Sequence, residues 1–350
     1  MVRRIAFAVP GDLATPTGGY AYDRRMIAEL ERLGWQIDIV NLGDGFPWPA
    51  SAAREAALAL LAAVPAGRAI VVDGLALGVL PDAAERHCSR NPLVALVHHP
   101  LAMETGLTAR QSAEFRASER AALAAASCVI VTSDTTARQL AAEYGVVAER
   151  ITVARPGNDT VPMAQGSRDG IVRLLSVGAL VRRKGFDVLV AALATLSDLP
   201  WRLTIAGDRG RDPKTSVQLD ADIARHQLGG RIEVLGAVSP EKLAALYAVS
   251  DVFVLASRYE GYGMAYAEAI AHGLPVIGTN AGAIPDTVPA GAGVLVAPDD
   301  VDALAAALRQ TIENPEQRRH LAASARHAAS QLPTWQDSAN IFSRALEAVA

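Results

Sequence analysis

The chain has 350 residues, a length that accommodates about two domains. Hydrophobic residues make up 51% and charged residues 20%, a balance that suits large packed cores and excludes a disordered chain. A formal net charge of -4 supplies none of the basic excess that holds nucleic acid.

The first apolar run, RIAFAV (4–9), reads as a β-strand. It is too short for a signal peptide, and it stops at Pro10-Gly11-Asp12. The stretch YAYDRRMIAELERLG (20–34) has helical patterning with Gly34 as its C-terminal cap. Further strands are expected at QIDIVNL (36–42), AIVVDG (69–74), LVALVHH (93–99) and SCVIVTS (127–133), separated by alanine-rich helices. Such continuous apolar runs suit strands covered on both faces. The two cysteines, Cys88 and Cys128, form no CxxC pair and read as buried thiols.

A stretch rich in Gly, Pro and mixed charge, ARPGNDTVPMAQGSRDG (154–170), marks a boundary between domains over 1–160 and 161–332. A second series of strands follows at VRLLSVG (172–178), WRLTIAG (201–207), RIEVLG (231–236), DVFVLAS (251–257), LPVIGT (274–279) and GAGVLVAP (291–298). Helices fit at 240–249 and 265–272, and 333–350 reads as a last helix with an apolar stripe. No run reaches the ~18 apolar residues of a membrane span. The pattern predicts an α/β protein with two doubly wound, Rossmann-like domains facing a cleft.

Open α/β sheets bind ligands outside the carboxyl ends of their strands, which directs attention to four stretches. In RYEGYGMAYAE (258–268), Glu260 and Glu268 stand eight apart. Gly261 and Gly263 argue against helix before Met264 and let a ligand approach the backbone. Glu260 then lies on a loop, Glu268 in the second turn of a helix whose N-terminus favours phosphate. The plain alternative is a turn with two solvated glutamates. In SVGALVRRKGFDVLV (176–190), Arg182, Arg183 and Lys184 sit where a diphosphate could be neutralised, against the alternative of a solvated charge run. Gly18 and Gly19 lie just before the first long helix, without a GxGxxG fingerprint; as candidate donor-binding residues they can admit a sugar or phosphate to the backbone, against the alternative of a plain turn. His98 and His99 end a strand and suit polar contact or proton handling. No motif with metal-ligand spacing such as HExxH occurs, so metal is set aside.

Taken together, these motifs resemble the family 4 glycosyltransferases, retaining nucleotide-sugar enzymes of GT-B fold. Glu260, GYGMAYA and Glu268 match that family's E-x7-E motif, within a stretch from Arg231 to Pro298 that fits closely. VGALVRRKGFDVL resembles the family's phosphate-binding turn, Gly18-Gly19 its N-terminal glycine loop, and 333–350 the last helix that packs back on the first domain.

The resemblance implies an acceptor-binding first domain and a donor-binding second one. It places Lys184 on the donor diphosphate, Glu260 on the transferred sugar and Glu268 on the ribose. The amides of Gly261, Tyr262, Gly263, Met264 and Ala265 would meet sugar hydroxyls and phosphates. His98 matches a histidine near the transferred sugar, with His99 as the alternative and a further sugar or acceptor contact. Ala179 stands where the family often has arginine, and Arg183 is the expected replacement. No obligatory metal or cofactor is implied beyond the nucleoside diphosphate sugar. The partners are that donor and an acceptor hydroxyl on a glycan, lipid or small molecule. The expected setting is cytoplasmic, with peripheral contact to the inner membrane face left open. Rival readings are an epimerase or phosphorylase on the same fold, or a non-catalytic sugar-nucleotide sensor.

Overall fold

The computed structural model describes residues 3–349, without the side chains of His87 and Cys88, so the reading of Cys88 as a buried thiol lies outside the described residues. Two compact units emerge, Met1–Gly157 with Pro333–Ala350 and Asn158–Leu332.

The N-terminal unit is built on strands β1 (Arg4–Val9), β2 (Gln36–Asn41), β3 (Ile70–Asp73), β4 (Leu93–Val97), β5 (Cys128–Val131) and β6 (Ile151–Val153), in the order β2-β1-β3-β4-β5-β6. Neighbouring strands all run parallel. β3, β4 and β5 are buried along their whole length, as unbroken apolar runs require of a sheet covered on both faces. Around it lie α1 (Gly18–Arg32), α2 (Ser51–Ala62), α3 (Gly74–Leu77), α4 (Pro81–Cys88), α5 (Ala109–Ala125) and α6 (Asp134–Tyr144).

The C-terminal unit repeats the plan with β7 (Val172–Val177), β8 (Trp201–Ala206), β9 (Ile232–Gly236), β10 (Val252–Val254), β11 (Val276–Thr279) and β12 (Gly293–Val296), in the order β12-β11-β10-β7-β8-β9. Its helices are α7 (Phe186–Ala194), α8 (Pro213–Arg225), α9 (Pro240–Val249), α10 (Met264–Ala271), α11 (Ile284–Thr287), α12 (Val301–Glu313) and α13 (Pro315–Ala329). The strand order reverses between β7 and β10, so the loops after these two strands flank the switch point where open sheets take their ligands. In the N-terminal unit the corresponding reversal lies between β1 and β3.

The last helix, α14 (Trp335–Glu347), belongs to the N-terminal unit. Its Trp335 ring lies 5.9 Å from that of Tyr22 on α1, and Ser343 Oγ accepts the Trp35 indole N–H at 2.9 Å. Gly157 permits the docking, because a Cβ there would strike the Trp335 backbone.

One expectation needs correction, and one strand has no counterpart in the sequence reading. Gly18 and Gly19 do not precede α1 but form its first turn, with the Thr17 hydroxyl accepting the Tyr20 amide at 3.3 Å as N-cap. β6 was not predicted, because three half-buried residues at a sheet edge leave no readable apolar run. Among the described residues, no helix is long and apolar enough to cross a membrane.

Candidate active site

In the C-terminal unit, the chain leaving β7 forms a short 3-10 turn over Arg182–Lys184, then enters α7 through Gly185 at φ +65°. Gly185 packs its α-carbon against the carbonyl of Ala256, just beyond β10, so close that a methyl group would overlap that oxygen. The basic turn is thereby pressed onto the loop that carries Glu260. Arg258 ties the two further. Its amide donates to the Arg183 carbonyl at 2.7 Å, and its guanidinium bridges Asp187 and Asp299, each at 2.7 Å. On the other side, Gly282 at φ +57° lies flat on the Glu260 backbone, and the Ala283 amide donates to the Glu260 carbonyl at 2.9 Å.

These contacts deliver one carboxylate to two cations. Glu260 Oε1 accepts from Lys184 Nζ at 2.7 Å and from the Ser257 hydroxyl at 2.6 Å, while Oε2 accepts from Arg183 Nη1 at 3.0 Å. Glu260 is only 5% exposed, which rules out a solvated turn. Burial alone would raise its pKa. Lys184, Arg183 and the Ser257 hydroxyl reverse that and hold it at about 2. For Lys184 the balance tips the other way, and burial lowers its pKa against the pull of Glu260. A buried ion cluster of this kind gives little net stability, so a functional reason for keeping it is the better explanation.

Helix α10 starts immediately after this loop. Gly263, at φ +93°, is its N-cap and brings no side chain to the first-turn amides. Gly261, Tyr262 and Gly263 are buried, and Met264 and Ala265 are half-buried. Glu268 lies in the second turn, where Tyr247 donates its hydroxyl at 3.0 Å. Burial raises the Glu268 pKa, with Tyr247 and Lys184 opposing. Tyr247 is itself stacked on His272, ring centroids 4.7 Å apart, and His272 Nδ1 meets the Pro162 carbonyl at 2.8 Å.

The second cluster belongs to the N-terminal unit. His98 follows β4, and its Nε2 lies 3.1 Å from Asp23 Oδ1 and 3.5 Å from Asp73 Oδ2. Asp23 comes from α1, one turn after Gly19, and Asp73 ends β3 beside β4. Gly19 lies against the imidazole, since a Cβ there would sit 3.2 Å from His98 Cδ2. The Tyr22 ring meets the imidazole edge-on at 5.4 Å. Burial lowers an imidazole pKa, but the two carboxylates outweigh it here and raise that of His98. Asp23 is raised by burial, against the imidazole. His99 turns elsewhere, its Nε2 at 2.6 Å from Glu104.

Among the described residues, Asp23, Asp73 and His98 also present three metal-ligand atoms within 4.8 Å of one another. The sequence shows no such set, because the three residues lie far apart along the chain. Both carboxylates face His98 Nε2, and Asp23 Oδ2 is buried without a hydrogen-bond partner among the described residues.

Sequence reasoning missed Ser257, Tyr247, Asp23 and Asp73. Asp73 could have been found from its place at a strand's carboxyl end, whereas nothing in the sequence joins Tyr247 to Glu268.

A buried carboxyl anchors the turn that follows His98 and His99. The Leu101 amide donates to Glu119 Oε2 at 3.1 Å, and burial pushes the Glu119 pKa up to about 8, against the Leu101 and Tyr144 contacts. The folded state therefore favours the protonated acid. That stabilisation is complete below the ordinary value of 4.5 and is lost as pH rises through about 8. Glu119→Gln is expected to flatten this decline and to gain on the order of 2–4 kcal/mol over wild type at pH 8, with little gain at pH 4.5. Thermal melting of both proteins across that range checks it. An equal difference at both ends would assign the slope to another group.

The chain resembles known proteins over most of its length. Residues 161–328 match the family Glycosyl transferases group 1, and residues 74–161 match Glycosyltransferase Family 4. The chain belongs to the family 4 glycosyltransferases. It is 29% identical over 283 residues to the MMP alpha-(1->4)-mannosyltransferase of Mycolicibacterium hassiacum, covering 74% of this chain and 67% of that protein. Over 235 residues it is 33% identical to D-inositol 3-phosphate glycosyltransferase 1 of Catenulispora acidiphila, covering 61% and 56%. The chain thus spans roughly half to two thirds of the length of such relatives. Sucrose-phosphate synthase from Thermosynechococcus elongatus superposes with a TM-score of 0.82 at 22% identity, over 99% of this chain and 100% of that one. Anabaena Alr3699/HepE in complex with UDP and glucose gives 0.76 at 20% identity, over 97% and 99%. The family 4 chain therefore has the fold of solved GT-B glycosyltransferases.

Proposed function

We propose that this family 4 protein is a retaining glycosyltransferase that moves a sugar from a nucleoside diphosphate sugar to an acceptor hydroxyl. The observation that carries the reading is the carboxylate of Glu260, gripped by Lys184 and Arg183 at the switch point, with Glu268 eight residues on. Family membership and the UDP bound by the Anabaena structure support it.

The donor binds the C-terminal unit. Lys184 and Arg183 take the diphosphate, helped by the amides that open α10. Glu268, oriented by Tyr247, accepts hydrogen bonds from the ribose diol. Glu260 accepts from hydroxyls of the transferred sugar. The N-terminal unit, with His98 at the end of β4, serves the acceptor. As the bond from the sugar to the phosphate oxygen breaks, negative charge grows on the diphosphate, and the two cations stabilise it. The family resemblance implies no obligatory metal for this step. The acceptor oxygen attacks from the face the diphosphate leaves, and a diphosphate oxygen takes its proton. Glu260 accordingly positions and stabilises, and its low pKa leaves it no proton to donate near neutrality.

A thermal-shift panel of UDP-, GDP-, ADP- and TDP-sugars identifies the donor, since a ligand of the folded state raises the melting temperature. Release of the nucleoside diphosphate is then measured with and without acceptors, beginning with mannosyl and inositol phosphate chemistry as in the relatives' names. Acceptor-dependent release is expected. Release or isomerisation without any acceptor, or no shift with any donor, would overturn the reading.

A further inference from the structure

Glu260 is an anion fixed beside the groups assigned to bind another anion. Its two oxygens engage Lys184 Nζ at 2.7 Å and Arg183 Nη1 at 3.0 Å, and the Ser257 hydroxyl holds Oε1 at 2.6 Å. The side chains of Lys184 and Arg183 are only 14% and 19% exposed, so water screens this cluster weakly. Both cations that a diphosphate would need are thus already engaged by one carboxylate. The Glu260 backbone is fixed beneath the carboxylate, because Gly282 packs on it and the Ala283 amide holds its carbonyl, while the Ser257 hydroxyl holds Oε1.

We infer that Glu260 discriminates between the sugar-bearing donor and the bare nucleoside diphosphate, weakening the hold on the product once the sugar has gone. This rests on the donor-site reading above. A phosphate oxygen bound to Lys184 or Arg183 shares that cation with the Glu260 carboxylate, which repels it. In the donor, sugar hydroxyls donate to the carboxylate and offset the repulsion. After transfer those donors are gone. Breaking the bond between sugar and phosphate also leaves a terminal phosphate that carries one more negative charge once its proton is lost. The same carboxylate that places the sugar therefore raises the affinity of donor relative to product, which speeds release.

Glu260→Gln keeps the shape and removes the charge. Isothermal titration with UDP, GDP and inorganic pyrophosphate is compared for wild type, Glu260→Gln and Lys184→Ala. Glu260→Gln is expected to bind pyrophosphate and the preferred nucleoside diphosphate at least tenfold more tightly than wild type. Binding of the matching sugar nucleotide should not tighten in proportion. Without ligand the variant should melt lower, its two cations having lost their counter-ion, and pyrophosphate should raise its melting temperature more than that of wild type. Should Glu260→Gln not fold, Glu260→Asp, whose shorter carboxylate contacts the cations less closely, is expected to shift the same ratio in the same direction. Diphosphate binding equal to or weaker than wild type in a folded variant would overturn the inference and leave the donor site standing. If Lys184→Ala also leaves diphosphate binding unchanged, the donor-site reading falls with it.

Discussion

Lys184→Ala is expected to lower acceptor-dependent kcat/KM by about 10²- to 10³-fold, the range seen when one preorganised charge-stabilising donor is removed from a transition state. Lys184 reaches the switch point from the turn after β7, and Gly185 fixes that turn against the end of β10. Its ammonium is mostly buried and hydrogen-bonded only 2.7 Å from Glu260, so it is held rather than mobile and acts without reorganising. Most of the loss should fall on kcat, because charge on the diphosphate is greatest as the sugar departs. Stability should suffer less than the ~3–5 kcal/mol typical of a broken buried ion pair, because Arg183 and Ser257 still hold Glu260. Lys184→Arg keeps the charge but not the point-like ammonium, and should recover only part of the activity. Lys242→Ala, exposed on α9, is the control. Steady-state kinetics with melting curves decide the matter, and a change under threefold would place the diphosphate elsewhere.

The second large effect is structural. Gly185→Ala should destabilise the C-terminal unit by about 3 kcal/mol or more, since left-handed backbone costs alanine ~1–2 kcal/mol and a backbone clash adds to it. Here φ is +65°, and the new methyl group would overlap the Ala256 carbonyl oxygen, which sits in rigid chain beside β10. In a unit of this size such a loss lowers the melting temperature by roughly 10 °C. Gly170→Ala in the same unit separates the two contributions, because Gly170 also has a positive φ, +79°, yet nothing lies within 4 Å of its would-be Cβ. It should show only the backbone cost. Equal shifts in the two variants would mean that the close approach of the basic turn to the Glu260 loop is unimportant.

Much of the fold was legible because its strands are buried on both faces. Runs such as LVALV and CVIV leave no other reading, and their alternation with alanine-rich helices gives two parallel sheets. Boundaries were less clear. DVFVLAS looks like seven residues of strand, but the sheet keeps only Val252–Val254, because the chain turns early to build the Glu260 loop. The acidic pair and the basic turn were visible as local motifs, each a strand end followed by a glycine. Their pairing across β7 and β10 follows from strand order, which no local pattern encodes. Asp23, Asp73 and His98 illustrate the same limit. Each is an ordinary polar residue in its own segment, and only the parallel sheet makes them neighbours.

The placement of α14 bears on how the protein is made. A ribosome delivers residues 158–332 before it delivers the helix that completes the first unit. At ~5–20 residues per second, that delay amounts to roughly ten seconds or more. Throughout it, Tyr22 and Trp35 lack the covering that Trp335 and Ser343 later provide. The second unit, continuous in the chain, can close first, so the half made first is the half finished last.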